Sequence, residues 1–304
     1  MPRLLRCPRG IERNVFMTDA FEASAERNSY VIDSEHTAEM ARLLDQDRMI
    51  TATMGWWFPD HIEPEQLATV LDVACGPGGW VQEVAFHYPH LKVTGIDISE
   101  RMTTYARMQA QVQHLNNAHF QVADIKQPLP FADETFDYIN ARFLVGLMYP
   151  SDWVPLLKEC WRITRPGGHI CLTDFDRVGV TNSPAFERMQ QVGEQAMART
   201  GRVLVPGIEA VQLTPMLGAF LREAGWRQTG LQAHVLDYSA DTDLHASNCR
   251  NLVAFFTLVQ PFLIKTGVTT ASEWEHLLTQ MQIEMMAPTF RGLWYYLSVF
   301  GHKA

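Results

Sequence analysis

The chain lacks a surplus of basic residues: 25 Lys and Arg stand against 34 Asp and Glu in 304 residues, a net charge of −9. Nonspecific affinity for nucleic acid comes mainly from clustered cations, so this balance argues against a nucleic-acid partner and favours an uncharged or cationic small molecule. It also lacks a long apolar run. The longest, Leu252 to Ile264, is broken by Gln260 and Pro261 and falls short of the ~20 residues that cross a bilayer, so no membrane span is expected. The five cysteines, Cys7, Cys75, Cys160, Cys171 and Cys249, form no Cys-x-x-Cys pair and no zinc-type spacing with histidine. Their odd number argues against a disulfide framework, which places the chain in a reducing, cytoplasmic compartment. The N-terminal stretch is not expected to be a secretory signal either: Arg3, Arg6, Arg9 and Arg13 are followed by neither an apolar core nor a cleavage site. Residues 1–16 read as a disordered tail, with Met17 as an alternative start.

What the sequence does have is a regular alternation. Ser34 to Asp47 reads as a helix capped by Ser34, with Met40, Leu43 and Leu44 at helical spacing, the helical character fading out near Gly55. From Thr69 onward, short apolar runs alternate with helical stretches, the pattern of successive βαβ units on a mainly parallel sheet. The runs are Val70–Val73, Leu91–Ile96, His119–Val122, Phe136–Ile139 and Ile170–Thr173. Helices are expected over Ser99–Leu115, with Ser99 as cap, and Trp153–Thr164, stopped by Pro166-Gly167-Gly168. A further helix, Leu213–Ala224, precedes two closing strands, Gln228–Tyr238 and Gly292–Phe300. Two stretches exceed an ordinary connection, at about 177–206 and 239–288. Both have helical periodicity, and we read them as a helical cap rather than as an independent domain. Their apolar surface makes a homodimer a further expectation. Within them Met281, Met285 and Met286 have the spacing of a core stripe.

The chemistry concentrates at the ends of the first three strands. Gly76 and Gly78-Gly79, between the first strand and its helix, let a ligand approach the backbone near a helix N-terminus. On its own such a turn serves equally for tight packing. Asp97 ends the second strand, where its two oxygens could accept from a pair of ribose hydroxyls. Asp124 ends the third, where it could accept from an adenine amino group while Ile125 packs on the ring. Aspartates there also cap helices, but three such groups at three successive strand ends are hard to attribute to capping alone. A nicotinamide enzyme shares these features, yet the third position of the dinucleotide fingerprint holds Val81 instead of glycine or alanine.

These segments resemble class I S-adenosylmethionine-dependent methyltransferases, in particular the small-molecule and ubiquinone-type enzymes. The resemblance rests on Val70-Leu71-Asp72-Val73-Ala74-Cys75-Gly76-Pro77-Gly78, Gly95-Ile96-Asp97-Ile98-Ser99, Ala123-Asp124-Ile125, the run Leu129 to Asp137, and Glu159 to Gly168. It implies an α/β fold: a doubly wound, seven-stranded, mainly parallel sheet with the last strand antiparallel, spanning 67–304 with the cap insertions. It also implies that residues 17–66 cover the cofactor site. Asp72, Ala74, Gly76 and Gly78 would lie near the methionine moiety, Asp97 on the ribose, Asp124 and Ile125 at the adenine, with Ile98 and Met102 flanking the adenosine. Ala74 stands where many members have the first glycine. Tyr30 and the helix Glu39–Arg48 look like the segment that folds over the cofactor in related enzymes, with packing of that helix on the sheet as the other reading.

The implied activity is methyl transfer to a small-molecule acceptor through an O, N, S or C nucleophile. A sulfonium methyl is already activated, so alignment and exclusion of water suffice, without a metal or a covalent intermediate. The fourth strand ends at Asn140-Ala141-Arg142-Phe143, which in the family brings Ala141 to the cofactor and Arg142 and Phe143 toward the substrate, with Tyr149 nearby. Arg142 is a candidate anion partner; Phe143 and Tyr149 serve equally as core aromatics. Among eleven histidines, His234 and His245 are candidate bases, against a structural role for each. Trp56-Trp57-Phe58 and Tyr295-Tyr296 are candidates for an aromatic pocket. The competing assignment is a cofactor-binding regulatory or partner protein on the same fold that has lost catalysis.

Overall fold

The computed structural model describes residues 30–33, 36–55, 57–205 and 210–304. The tail 1–16, the start at Met17, the cap Ser34, Trp56 and the insertion boundary at Pro206 lie outside the described residues. In chain order the elements are α1 (Thr37–Met54), β1 (Thr69–Val73), α2 (Gly79–His87), β2 (Lys92–Asp97), α3 (Glu100–Val112), β3 (Ala118–Val122), β4 (Phe136–Arg142), α4 (Trp153–Ile163), β5 (Thr164–Asp174), β6 (Val180–Thr181), α5 (Pro184–Arg199), α6 (Leu217–Glu223), β7 (Arg227–Asp237), α7 (His245–Lys265), α8 (Ala271–Met285) and β8 (Gly292–His302).

Strands β3-β2-β1-β4-β5 are parallel neighbours in that order. Beyond β5 lies β8, antiparallel to it, and β7 pairs antiparallel with the far edge of β8. The last strand is thus the antiparallel one, as expected. Among the described residues the count is eight, because Val180–Thr181 adds a two-residue strand against Leu293 and Gly292, inside the stretch 177–206 read as having helical periodicity.

The apolar runs of β1 and β4 are buried because helices cover both faces of the sheet. On one face Leu156, Leu157, Cys160 and Ile163 of α4 pack with Leu217 and Leu221 of α6 against β4 and β5. On the other, Trp80, Val81 and Val84 of α2 and Ala106 and Ala110 of α3 cover β1 and β2. Ser99 caps α3, its hydroxyl accepting from Met102 N–H at 3.1 Å.

Several boundaries differ for physical reasons. Helix α1 starts at His36, whose ring accepts from Ala38 N–H, and runs past Asp47 to Met54, stopping at Gly55 in the left-handed conformation. Pro166-Gly167-Gly168 lies inside β5, with Gly167 N–H donating to Lys303 O. Helix α3 closes at Val112, and the Leu213–Ala224 helix begins with a 3-10 turn at Thr214–Met216 around Pro215. Gln260 and Pro261 sit inside α7. Among the described residues no helix is long and apolar enough to cross a membrane.

A second core lies above the carboxyl ends of the strands. Met49, Ile50 and Met54 of α1 meet Phe186 and Met189 of α5, Leu252 and Phe256 of α7, Trp274, Met281 and Met285 of α8, and Trp294 and Tyr296 of β8. Met286, expected in the same stripe, follows the last turn of α8 and is 83% exposed. Trp57 and Phe58 pack beside Trp80 on the α2 face, so they line no pocket over the strands. Tyr295 turns to solvent while Tyr296 is buried.

Candidate functional site

Parallel register brings the carboxyl ends of β1, β2, β3, β4 and β5 to one side. Val73 pairs with Ile96 and Ala141, and Asp97 pairs with Val122. The turn after β1 is tightly built. Gly78, at φ 80°, opens α2, and a Cβ there would stand 2.5 Å from the Phe120 ring and 2.9 Å from Ala106. Gly78 therefore lets helix and strand approach; it does not line the cavity. Ala74 adopts φ 55°, the left-handed region where a Cβ costs roughly 1–2 kcal/mol. The substitution of glycine by alanine is accommodated as backbone strain at the mouth of the loop.

Asp97 organises this turn. One carboxylate oxygen accepts Gly76 N–H and the other accepts Ser99 N–H, both at 2.9 Å. Asp124 accepts Lys126 N–H at 2.9 Å in a local turn. Asp72, buried, accepts from Asn140 Nδ2 at 2.8 Å. Burial is the main reason its carboxyl is pushed up to about 7; Arg142 and the Asn140 hydrogen bond oppose that rise.

A single cavity of about 280 Å³ joins these groups to the space under the second core. Of the residues singled out from the sequence as candidate site residues, it is lined by Tyr30, Asp72, Ala74, Gly76, Gly79, Asp97, Ile98, Met102, Asp124, Ile125, Arg142 and Phe143. The others lie elsewhere. Ala141 is buried in the α4–α6 face of the sheet. Tyr149 is flanked by the Arg202 guanidinium at 4.3 Å and the Lys126 ammonium at 4.8 Å from its ring centre, outside the cavity. His234 pairs with Ser298 Oγ at 3.0 Å and stacks on Tyr296. His245 holds the Tyr238 carbonyl at 3.0 Å. Neither histidine reaches the cavity, so neither stands where a base would act.

Arg142 is already engaged. Its guanidinium pairs with Asp47 and donates to Thr51 Oγ1 at 3.0 Å, both on α1. Burial raises the Asp47 carboxyl above the usual aspartate range, with Arg142 opposing. The role of Asp47 and the rest of the buried face of α1 escaped the sequence reading. Arg42 donates through Nε and Nη2 to the two oxygens of Glu39 at 2.7 Å, and through Nη1 to Gln46 and to Asn251 Oδ1 of α7. Tyr30 Oη donates to Glu39 at 2.7 Å, and burial raises its pKa far above that of a free phenol. Glu39, Arg42 and Gln46 fall at helical spacing, and that polar stripe, running alongside the apolar Met40 and Leu43, was the available signal. Near the cap, Phe143 stacks on Trp294 with centroids 5.6 Å apart, and Phe175 meets both rings edge-on. Six carboxylates and four cationic side chains line the cavity as a whole, so it favours a ligand with net positive charge.

Residues 70–168 match the methyltransferase domain family. The chain is 35% identical over 112 residues to a demethylmenaquinone methyltransferase of Listeria welshimeri, 36% of this chain and 46% of that protein. It is 38% identical over 104 residues to one of Geobacillus stearothermophilus, covering 34% and 43%. The chain thus spans less than half the length of these curated relatives. In fold it is similar to a crystal structure of a methyltransferase of Bacillus halodurans described as putative, with a TM-score of 0.50, 16% identity, and 84% of this chain and 97% of that one covered.

Proposed function

We propose that this chain, whose residues 70–168 match the methyltransferase domain family, transfers a methyl group from S-adenosylmethionine to a small, largely apolar acceptor held under the helical cap. One observation carries this assignment: a single cavity runs from the glycine turn and its acids to an apolar chamber walled by Phe143, Phe175 and Trp294. The acid-rich end, with Asp47, Asp72, Asp97 and Asp124 against Arg142 and Lys126, suits a ligand bearing an ammonium, a sulfonium and one carboxylate. When bound, that sulfonium supplies the methyl group, whose bonding electrons leave on sulfur without a metal or a covalent enzyme intermediate.

The protein's own residues bind, orient and exclude water. Asp97 holds Gly76 and Ser99 in place and offers its carboxylate to the hydroxyls of the ligand. Asp72 offsets cationic charge, Ile98, Met102 and Ile125 flank a planar base, and the aromatic wall orients the acceptor. Helix α1, tied down through Asp47–Arg142 and Arg42–Asn251, separates the chamber from solvent. Acceptor choice belongs to the cap. The family match ends at residue 168, ahead of α5, α7 and α8, so the acceptor named for the quinone relatives does not transfer with the domain. The acidic balance and the compact cavity support a small-molecule partner over nucleic acid. The four described cysteines are all free, which supports a reducing, cytoplasmic setting.

The test is calorimetric titration with S-adenosylmethionine and separately with NADH, followed by transfer of labelled methyl to a panel of phenols, quinols, amines and thiols. Micromolar binding of the sulfonium compound alone with turnover of an apolar acceptor is expected. Absence of binding refutes the assignment, and binding without turnover across the panel makes the protein a cofactor-dependent regulator.

A further inference from the structure

Strand β7 is the outermost strand at its end of the sheet and pairs only with β8 among the described residues. Eleven residues long, it has an outer edge that no other strand pairs with among the described residues. Exposed edges are ordinarily blunted by lysine, proline, inward charge or a covering element. Between Thr229 and Leu236 this strand has no charged residue and no proline. Its only irregularity is a register shift between Gln228 and Gly230, near one end.

The edge is also apolar. Leu231 is 62% exposed and Val235 48%, and four residues apart on one strand they share a face. Tyr295, the β8 partner of Val235, lies beside it on that face and is 49% exposed. Three large apolar side chains thus border an open ladder.

The charges at the strand's ends select the occupant. Arg227 begins the strand and Asp237 ends it, both exposed. An antiparallel copy of the same strand, related by a two-fold axis near Ala233, sets Leu231 of each protomer against Val235 of the other. It also brings the Asp237 end of each toward the Arg227 end of its partner. A parallel arrangement would put like charges together. Self-complementarity of this kind is the property of an isologous two-fold interface.

We propose that the protein is a homodimer joined through antiparallel pairing of β7 with its counterpart, which makes one sheet continuous across both protomers. This surface is distinct from the cap, and it leaves the cavity of each copy intact.

Sedimentation or light scattering of the full chain from about 1 to 100 µM tests it. The wild type is expected to be dimeric. Leu231→Lys with Val235→Lys should yield a monomer with unchanged circular dichroism. Arg227→Asp and Asp237→Arg each set like charges at the interface, and each should weaken the dimer about tenfold alone. An equimolar mixture of the two variants should recover it, since one then carries acid and the other base at both strand ends. A monomeric wild type at the highest concentration, or a dimer indifferent to the lysine pair, overturns the proposal. So does a mixture that associates no better than its separate components.

Discussion

Replacing Asp97 isolates the group that joins the glycine turn to the ligand. Asp97→Ala deletes two N–H···O bonds of 2.9 Å, from Gly76 and Ser99. Each hydrogen bond to a charged acceptor contributes about 1.5–3 kcal/mol. Water entering the cavity satisfies part of that loss, so the unliganded protein should lose about 2–3 kcal/mol. For a chain of this size that lowers Tm by roughly 4–6 °C. Two further hydroxyl bonds to the same carboxylate, at about 1.5 kcal/mol each, predict a Kd for S-adenosylmethionine about 100-fold weaker. Asp97→Asn retains the shape and one acceptor oxygen, so its loss should be nearer tenfold, with a smaller fall in Tm. Calorimetry on both variants, with melting curves recorded without ligand, separates the two effects. An alanine variant that melts early yet binds within about threefold of wild type refutes the ribose role and leaves Asp97 as a purely structural strut.

Asp72 makes stability and binding pull in opposite directions. Its carboxyl is raised by burial to about 7, so between 3.8 and 7 the folded form holds a proton that the unfolded chain releases. The cost is full above pH 7 and fades as pH falls. Asp72→Asn should therefore stabilise the unliganded protein by on the order of 2–4 kcal/mol at pH 8 and little at about pH 4. A cationic ligand favours the ionised form, so wild-type affinity should rise from pH 6 to 8, while the variant binds weakly at all pH; a pH-independent wild type contradicts this. Ala74→Gly relieves the φ of 55° and should raise stability by up to about 1 kcal/mol in denaturant titration, with ligand affinity unchanged. His234→Ala should cost about 1–2 kcal/mol, through loss of the Ser298 bond and the Tyr296 stack, and leave the methyl-transfer rate within about twofold; a hundredfold fall would make it a base.

The alternating units from β1 to β5 were legible because each is local. Strand runs, the Ser99 cap and the acids at the strand ends lie within a few residues of the features that define them. The second core was not legible in the same way. That Met281 and Met285 are buried follows from helical spacing, but that they meet Ile50 of α1 requires knowing how the cap folds back. The role of Arg142 as partner of Asp47 was hidden for the same reason, since the two lie on opposite sides of the sheet's first half in sequence. Tyr149 misled because an aromatic near a strand end is as readily sandwiched between two cations as turned to a ligand. Ala74 and Gly78 divide the tasks of the turn in a way composition does not reveal: one bears strain at the cavity, the other provides helix-to-strand approach.

Helix α1 precedes in the chain every element of the cap that it packs against. Arg42 reaches Asn251 across 209 residues of chain, and Ile50 and Met54 wait for α7, α8 and β8 before they are covered. Contacts so distant in sequence form late, after loop closure is compensated by the rest of the fold. The parallel sheet is built of short-range crossovers, whereas α1 is held in the roof of the chamber by contacts distant in sequence, the kind of element that opens at lower free energy than a central sheet. Amide exchange in α1 should therefore outpace exchange in β1 and β4. In the living cell a ribosome must release α1 through β8 before the binding chamber has a wall on that side, so competence for ligand waits on the synthesis of β8 and not of the parallel sheet alone.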